Sequence, residues 1–427
     1  MTTLRRSLAG LTSRLQAAGY EAPALRPILN RGILDITPEL LPALVRRCQR
    51  EGSPAARLIA FWLLLEPARR SEMVDLMGSE ALETLGEQGL LHEENGMLRP
   101  RASLYPLLGG YYLADPVLSP GNTPWLSAPE YALALAAPRT PGEEAVDLNP
   151  GCGVQTVLNA GHHRKSWGRR ITPLSQLNAL LNDREGSCRF VAMEEEIPGT
   201  FHLITARLPF LSEDSPLVSE LAQRLEVGGT LALAVRQLIP DQPLLDRAER
   251  WLGGQSGWGL GQLEHSWRAL SLKTPLSDLG FDLAGLQAGF QGAAESLLFI
   301  RRLESSRPGW RTSLTITPPQ KPISDLVAAW LDAQERFSQA PPLASWRPRW
   351  SYTERLFLDS RSGLGYADFT RGFQSAVLDP ASAFLLNRSD GNRSAEELVE
   401  ACVEEYGLAR SQAAASLAEL GRKVLVE

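Results

Sequence analysis

Along the first hundred residues the apolar positions recur at helical spacing. Leu11, Leu15 and Ala18 fall on one face. Thr37 followed by Pro38 is an N-cap with proline in the first turn, and predicts a helix start. The run AARLIAFWLLL is apolar all round and predicts a buried helix. Ser71 and Ser79 each open a short helix. LHEENGMLRP then predicts a hairpin turning at Asn95-Gly96, the pair that supplies two positive φ angles most cheaply. Two short helices followed by a hairpin is the order of a winged helix.

From residue 104 to 303 the period changes. Short apolar strands are predicted at 145–148, 167–171, 189–192, 201–206, 230–235 and 296–301, with helical stretches between most of them. That alternation predicts an α/β domain with a mostly parallel sheet. Residues 304–350 are rich in proline, serine and tryptophan and form a connector carrying one helix, near 324–337. Residues 351–427 form a last small domain. Ser394 and Glu397 make a capping box, a helix runs to Tyr406, Gly407 stops it, and a second helix spans 411–420. The strand-like end RKVLVE again suggests a winged helix. The expected organisation is therefore 1–103, 104–303, 304–350 and 351–427.

Composition narrows the function classes. The 427 residues carry a net charge of −6, so no overall field favours nucleic acid or an anionic membrane. The four cysteines, Cys48, Cys152, Cys188 and Cys402, show neither CxxC nor metal spacing, which points to a reducing, cytoplasmic setting. The N-terminus lacks the apolar core of a signal peptide, and the most apolar run is too short to span a bilayer. The histidines show no paired zinc spacing, and there is no nucleophile elbow or phosphate loop with Gly-Lys-Ser/Thr.

The chemistry-bearing stretch is VDLNPGCG, a buried strand ending at Asp147 that runs straight into a glycine-rich turn. This is how an open α/β sheet usually meets a nucleotide-type cofactor. With ADPVLSPG before it and FHLITARLPF after it, residues 112–210 resemble class I S-adenosylmethionine-dependent methyltransferases. The branch nearest in pattern is the one related to protein-glutamine and ribosomal N-methyltransferases. The resemblance implies a Rossmann-like core flanked by two small helical, winged-helix-like domains. It also implies that Asp147, Gly151 and Gly153 stand against the methionine part of the cofactor, with Asn149 in place of the usual first glycine.

Other positions depart from the family pattern. Where an acid should grip the ribose hydroxyls, the chain has Arg170, which has donors only. Among Met193-Glu194-Glu195-Glu196, Glu194 is either the acid near the adenine or part of a solvated loop. The acceptor motif, commonly Asn-Pro-Pro-Phe/Tyr, reads Arg207-Leu208-Pro209-Phe210, and His202 stands where Asp is usual. Arg207 cannot accept the N–H of an amide or exocyclic amine, which argues against those acceptors by the family's usual route. Two readings stay open. One is a methyltransferase with a rebuilt site, with Arg207, Pro209 and Phe210 facing an unassigned, acidic acceptor. The other is a pseudo-methyltransferase that has lost the cofactor and binds a protein, peptide or RNA partner. Arg170 and Arg207 together could instead hold an anion, and the segment 162–170 (HHRKSWGRR) is a local basic and aromatic patch. The final helix pattern, SQAAASLAEL, is nearly free of cations, which argues against sequence-specific DNA reading.

Overall fold

The apolar faces close on two separate sets of elements. Residues Met1–Leu135 with Pro141–Arg207 form one compact unit, and Ala136–Thr140 with Leu208–Glu427 form a second. The structure is a computed structural model. It describes residues 3–30, 36, 38–116, 128–192, 197, 199–208, 216–239, 243–254, 256–269, 292–316, 319, 322–338, 343–349, 353–358, 365–369 and 376–422.

The first unit opens with α1 (Thr3–Ala17), α2 (Ala22–Leu29), α3 (Leu41–Glu51) and α4 (Pro54–Trp62). Next come β1 (Ala68–Arg69), α5 (Arg70–Met77), α6 (Ser79–Glu87), β2 (Leu91–Glu94) and β3 (Met97–Pro100), then the hairpin β4 (Ser103–Leu107) and β5 (Gly110–Ala114). The helix expected from Pro38 begins as a 3-10 turn, Pro38–Leu40, before α3. Thr37 lies outside the described residues. The β2–β3 turn carries positive φ at both Asn95 and Gly96, as the hairpin reading requires.

The α/β part of this unit runs through α7 (Ala128–Ala136), β6 (Gly142–Asp147), α8 (Val154–Asn159), β7 (His163–Gly168), α9 (Pro173–Leu181), β8 (Cys188–Phe190) and β9 (Phe201–Leu208). The strands lie in the order β8-β7-β6-β9, with every pair parallel. This is the Rossmann-like α/β core expected from the sequence. The chain leaves β6 toward β7 on one side and returns with β9 on the other. That makes the carboxyl end of β6 a topological switch point, where open α/β sheets bind ligands. The helical N-terminal residues share a core with this sheet. Leu8, Leu11 and Leu15 of α1, Phe61 and Trp62 of α4, and Leu174, Leu177 and Leu181 of α9 belong to one buried cluster. Thr12 Oγ1 donates to the Leu181 carbonyl at 3.2 Å.

The second unit contains α10 (Pro216–Gln223), β10 (Leu225–Ile239), α11 (Leu244–Trp251), β11 (Trp258–Ala269), β12 (Gly292–Arg302), β13 (Trp310–Thr315) and α12 (Ser324–Arg336). Its strands run β10-β12-β11-β13. Here β12 is antiparallel to both neighbours, and β11 is parallel to β13. Gly261 of β11 leaves room for α12, since a Cβ there would stand 3.1 Å from the rings of Trp330 and the Leu331 methyl. The chain ends with β14 (Thr353–Leu358), β15 (Gly365–Phe369), β16 (Ala376–Leu378), α13 (Pro380–Arg388), α14 (Ala395–Tyr406) and α15 (Arg410–Arg422). The capping box at Ser394 and Glu397 forms, and Gly407 ends α14 in a left-handed conformation. The strand expected from RKVLVE begins inside α15, which continues to Arg422; residues 423–427 lie outside the described residues.

Two strand expectations need correction. The strand predicted at 167–171 starts at His163 and stops at Gly168. Close packing fixes that end, because a Cβ on Gly168 would sit 2.7 Å from the Phe190 ring and 2.8 Å from Thr156 Oγ1. Strands β4, β5, β11 and β13 to β16 escaped the sequence reading, and β13 lies in the segment read as connector.

Candidate functional site

The site grows from the end of β6. Buried Ala145 and Val146 carry the strand to Asp147, which is itself 1% exposed. The turn then needs backbone that only glycine adopts cheaply, with φ of 53° at Gly151 and 87° at Gly153. Gly153 is also a contact point. A Cβ there would lie 2.9 Å from Ser175 Cβ on α9. Asn149, in the place of the family's first glycine, is not among the residues with positive φ, so no glycine is needed there. Its Oδ1 instead accepts the Arg207 backbone N–H at 3.0 Å, tying the turn to the end of β9.

Side chains from neighbouring elements fix the turn further. Asn178 of α9 is fully buried. Its amide donates to the Cys152 carbonyl at 2.7 Å and to the Leu113 carbonyl of β5 at 2.8 Å, while its oxygen accepts the Leu113 N–H at 2.7 Å. Gln155 Nε2 donates to the Glu130 carbonyl at 3.0 Å, joining α8 to α7. Thr172 caps α9 through a capping box with Ser175.

The electrostatics centre on two buried carboxylates. Asp147 accepts from Thr156 Oγ1 at 3.2 Å and from the Asn149 N–H at 3.4 Å. These bonds do not offset its surroundings. Burial, and then the charge of Glu130, push its pKa up to about 7. Glu130 projects from α7 with a side chain only 5% exposed, and the Arg207 guanidinium stands 3.7 Å from it. The sequence reading missed Glu130, Asn178 and Thr156. Glu130 left one faint signal, as the lone charge in the otherwise apolar APEYALALA.

The structure thus brings Asp147, Asn149, Gly151, Gly153 and Arg207 together at the switch point. Arg170 lies in the exposed loop two residues beyond β7, and Arg169 beside it donates its backbone N–H to the Asp147 carbonyl at 3.0 Å. Glu194, Pro209 and Phe210 lie outside the described residues. Two of the four cations in the basic patch at 162–170 are paired across the sheet. Arg164 pairs with Glu143, and Lys165 and the Trp167 indole N–H both reach Glu144. His163 is buried, with Nδ1 3.0 Å from the Asn159 carbonyl. Among the described residues no cluster of histidine, cysteine or carboxylate side chains could hold a metal, and no helix is long and apolar enough to cross a membrane. All four cysteines are buried and free.

These residues fit one half of S-adenosylmethionine. Two buried carboxylates, with the Glu130 charge disfavouring that of Asp147, under a turn open to close backbone approach, suit the cationic methionine part. For the ribose hydroxyls, Arg170 offers no acceptor.

No protein-family model and no curated protein matches the sequence. Solved structures similar to this chain include methyltransferases. The tRNA m1G37 methyltransferase of M. jannaschii is 14% identical at a TM-score of 0.32, over 50% of this chain and 57% of that one. Trm5b of Pyrococcus abyssi is 14% identical at a TM-score of 0.33, over 49% of this chain and 62% of that one. M. jannaschii TYW2, solved with AdoMet, is 13% identical at a TM-score of 0.31, over 49% of this chain and 92% of that one. The match therefore spans less than two thirds of the first two of these proteins.

Proposed function

We propose that the chain is an S-adenosylmethionine-dependent methyltransferase with a rebuilt site. The observation that carries this reading is the buried pair Asp147 and Glu130 at the carboxyl end of β6, beside the Gly151–Gly153 turn. A carboxylate whose pKa is raised by burial and by a like charge gains stability from a cation placed beside it. When bound, the cofactor supplies an electrophilic methyl group on a sulfonium. Asp147 and Glu130 attract its positively charged methionine end. The turn, held by Asn178 and Asn149, keeps the backbone close enough to contact it. Arg207, already oriented by Glu130, faces an acceptor that carries a carboxylate or phosphate rather than an amide. By resemblance, Pro209 and Phe210 complete that acceptor side, and Glu194 stands near the adenine. The helix–helix–hairpin of α5, α6, β2 and β3, and the helical tail, serve as winged-helix-like docking modules.

Titration calorimetry with S-adenosylmethionine and S-adenosylhomocysteine tests the proposal. Micromolar binding by the folded protein supports it. Silence to millimolar ligand overturns it in favour of a catalytically inactive, partner-binding subunit.

A further inference from the structure

The first 57 residues carry nine arginines, no lysine and four acids, a net charge of +5 in a chain whose total is −6. Such an asymmetry marks a segment with an anionic partner. The fold gathers most of this charge on α2, α3 and the start of α4. Arg26 lies on α2, Arg46, Arg47 and Arg50 on α3, and Arg57 on α4, and all five are exposed. Among the described residues none of them makes an ion pair, whereas Arg5, Arg70, Arg164, Arg301, Arg307, Arg311 and Arg410 all do.

Three of these guanidiniums are anchored without being neutralised. Arg47 Nη2 donates to the Pro27 carbonyl at 3.0 Å, Arg50 Nε to the Arg46 carbonyl at 3.4 Å, and Arg57 Nε to the Gly52 carbonyl at 3.1 Å. Each of these bonds uses one of five N–H donors. Pro27, Ile28, Arg47, Arg50 and Glu51 line a groove of about 420 Å³ between α2 and α3. Glu51 is the one acid among the described residues on its wall.

We infer that this arginine face binds the phosphodiester backbone of a nucleic acid, without sequence preference. Planar, forked guanidiniums held in place by backbone carbonyls match phosphate oxygens two at a time, which a lysine ammonium does not. A membrane surface is a poorer fit. Among the described residues that line the groove only Pro27 and Ile28 are apolar, too little to insert among acyl chains. A protein interface would be expected to centre on aromatic anchors, and the described lining residues include none. The inference does not require the cofactor site. A chain that ignores S-adenosylmethionine can still bind here, and the reverse.

The test uses the full chain and fluorescence polarisation with a labelled single strand of about 20 nucleotides, as RNA and as DNA, across a salt series. The comparison variant carries Arg46→Gln, Arg47→Gln, Arg50→Gln and Arg57→Gln. A control carries Arg250→Gln, Arg336→Gln and Arg393→Gln, three exposed arginines elsewhere in the sequence. The expected result is binding that the groove variant weakens at least about tenfold, with a log–log salt slope shallower by about 0.7 for each phosphate no longer neutralised. The control should bind as the parent does. If the fourfold variant fails to fold, Arg46→Gln with Arg50→Gln gives the same reading at smaller amplitude. Binding of neither strand, equal weakening in the control, or capture by phosphatidylserine vesicles without strand binding would each overturn the inference.

Discussion

Replacing Asp147 by asparagine should stabilise the protein above neutral pH while removing the cofactor's anchor. The buried carboxyl has its pKa pushed from 3.8 up to about 7, first by burial and then by the Glu130 charge. The folded state therefore holds that proton more tightly than the unfolded chain does. Stability is greatest below the unfolded value, falls as pH rises between about 4 and 7, and carries the full penalty above about 7. A shift of about three units corresponds to at most about 4 kcal/mol. Asparagine keeps the shape and cannot ionise. It loses one of the two bonds from Thr156 and the Asn149 N–H, at about 1 kcal/mol. At about pH 8 the variant should be the more stable by about 1–3 kcal/mol, and at about pH 5 most of that advantage should be gone. Melting temperature followed by intrinsic fluorescence at both pH values reads this out, with about 2–4 °C expected per kcal/mol for a unit of this size. A substitution effect of the same size and sign at both pH values would refute the reasoning, because it would mean that Asp147 is not held against its charge.

Other consequences can be checked alongside. Asn178→Leu strands the Leu113 N–H, the Leu113 carbonyl and the Cys152 carbonyl, so denaturant titration should show a loss of at least about 3 kcal/mol. Gly153→Ala forces a side chain onto a φ of 87° and against Ser175; thermal melts should fall by about 1–2 kcal/mol for the backbone and a further 1–3 kcal/mol for the overlap. Arg170→Asp restores an acceptor for the ribose hydroxyls, and calorimetry should show S-adenosylmethionine affinity rising roughly ten- to hundredfold. Arg207→Gln removes the cation beside Glu130; because Glu130 is only 5% exposed and is left without that partner, denaturant titration near neutral pH should show a loss of at least about 1 kcal/mol.

What could be read from the sequence was whatever local chemistry alone decides. The Asn95-Gly96 turn, the Ser394–Glu397 capping box and the strand into Asp147 each rest on residues within a few positions of one another. Strand β11 was hidden because WGLGQLEHSW alternates poorly. The glycines in it are set by distant bulk: Trp310 against Gly259, and Trp330 against Gly261. Glu130 was hidden for a related reason. A single acid in an apolar helix reads as its solvent face, and only the packing of α7 turns that position inward, toward Arg207. In the patch at 162–170 the partners of Arg164 and Lys165, Glu143 and Glu144, come from the neighbouring strand and are not legible locally. Asn149 replaces the family's usual first glycine, and its role as the clamp between that turn and β9 depends on a residue 58 positions away.

The most direct test of the cofactor reading is calorimetric titration of the parent protein and the Asp147→Asn variant with S-adenosylmethionine at about pH 6 and about pH 8. A cation beside Asp147 favours its ionised form, so binding should release a proton near neutrality and tighten as pH rises through about 7. The variant should bind at least about tenfold more weakly at the higher pH, and its affinity should not change with pH. Binding that ignores both the pH and the substitution, or no binding by the folded parent, would contradict the assignment of this carboxylate pair to the cofactor.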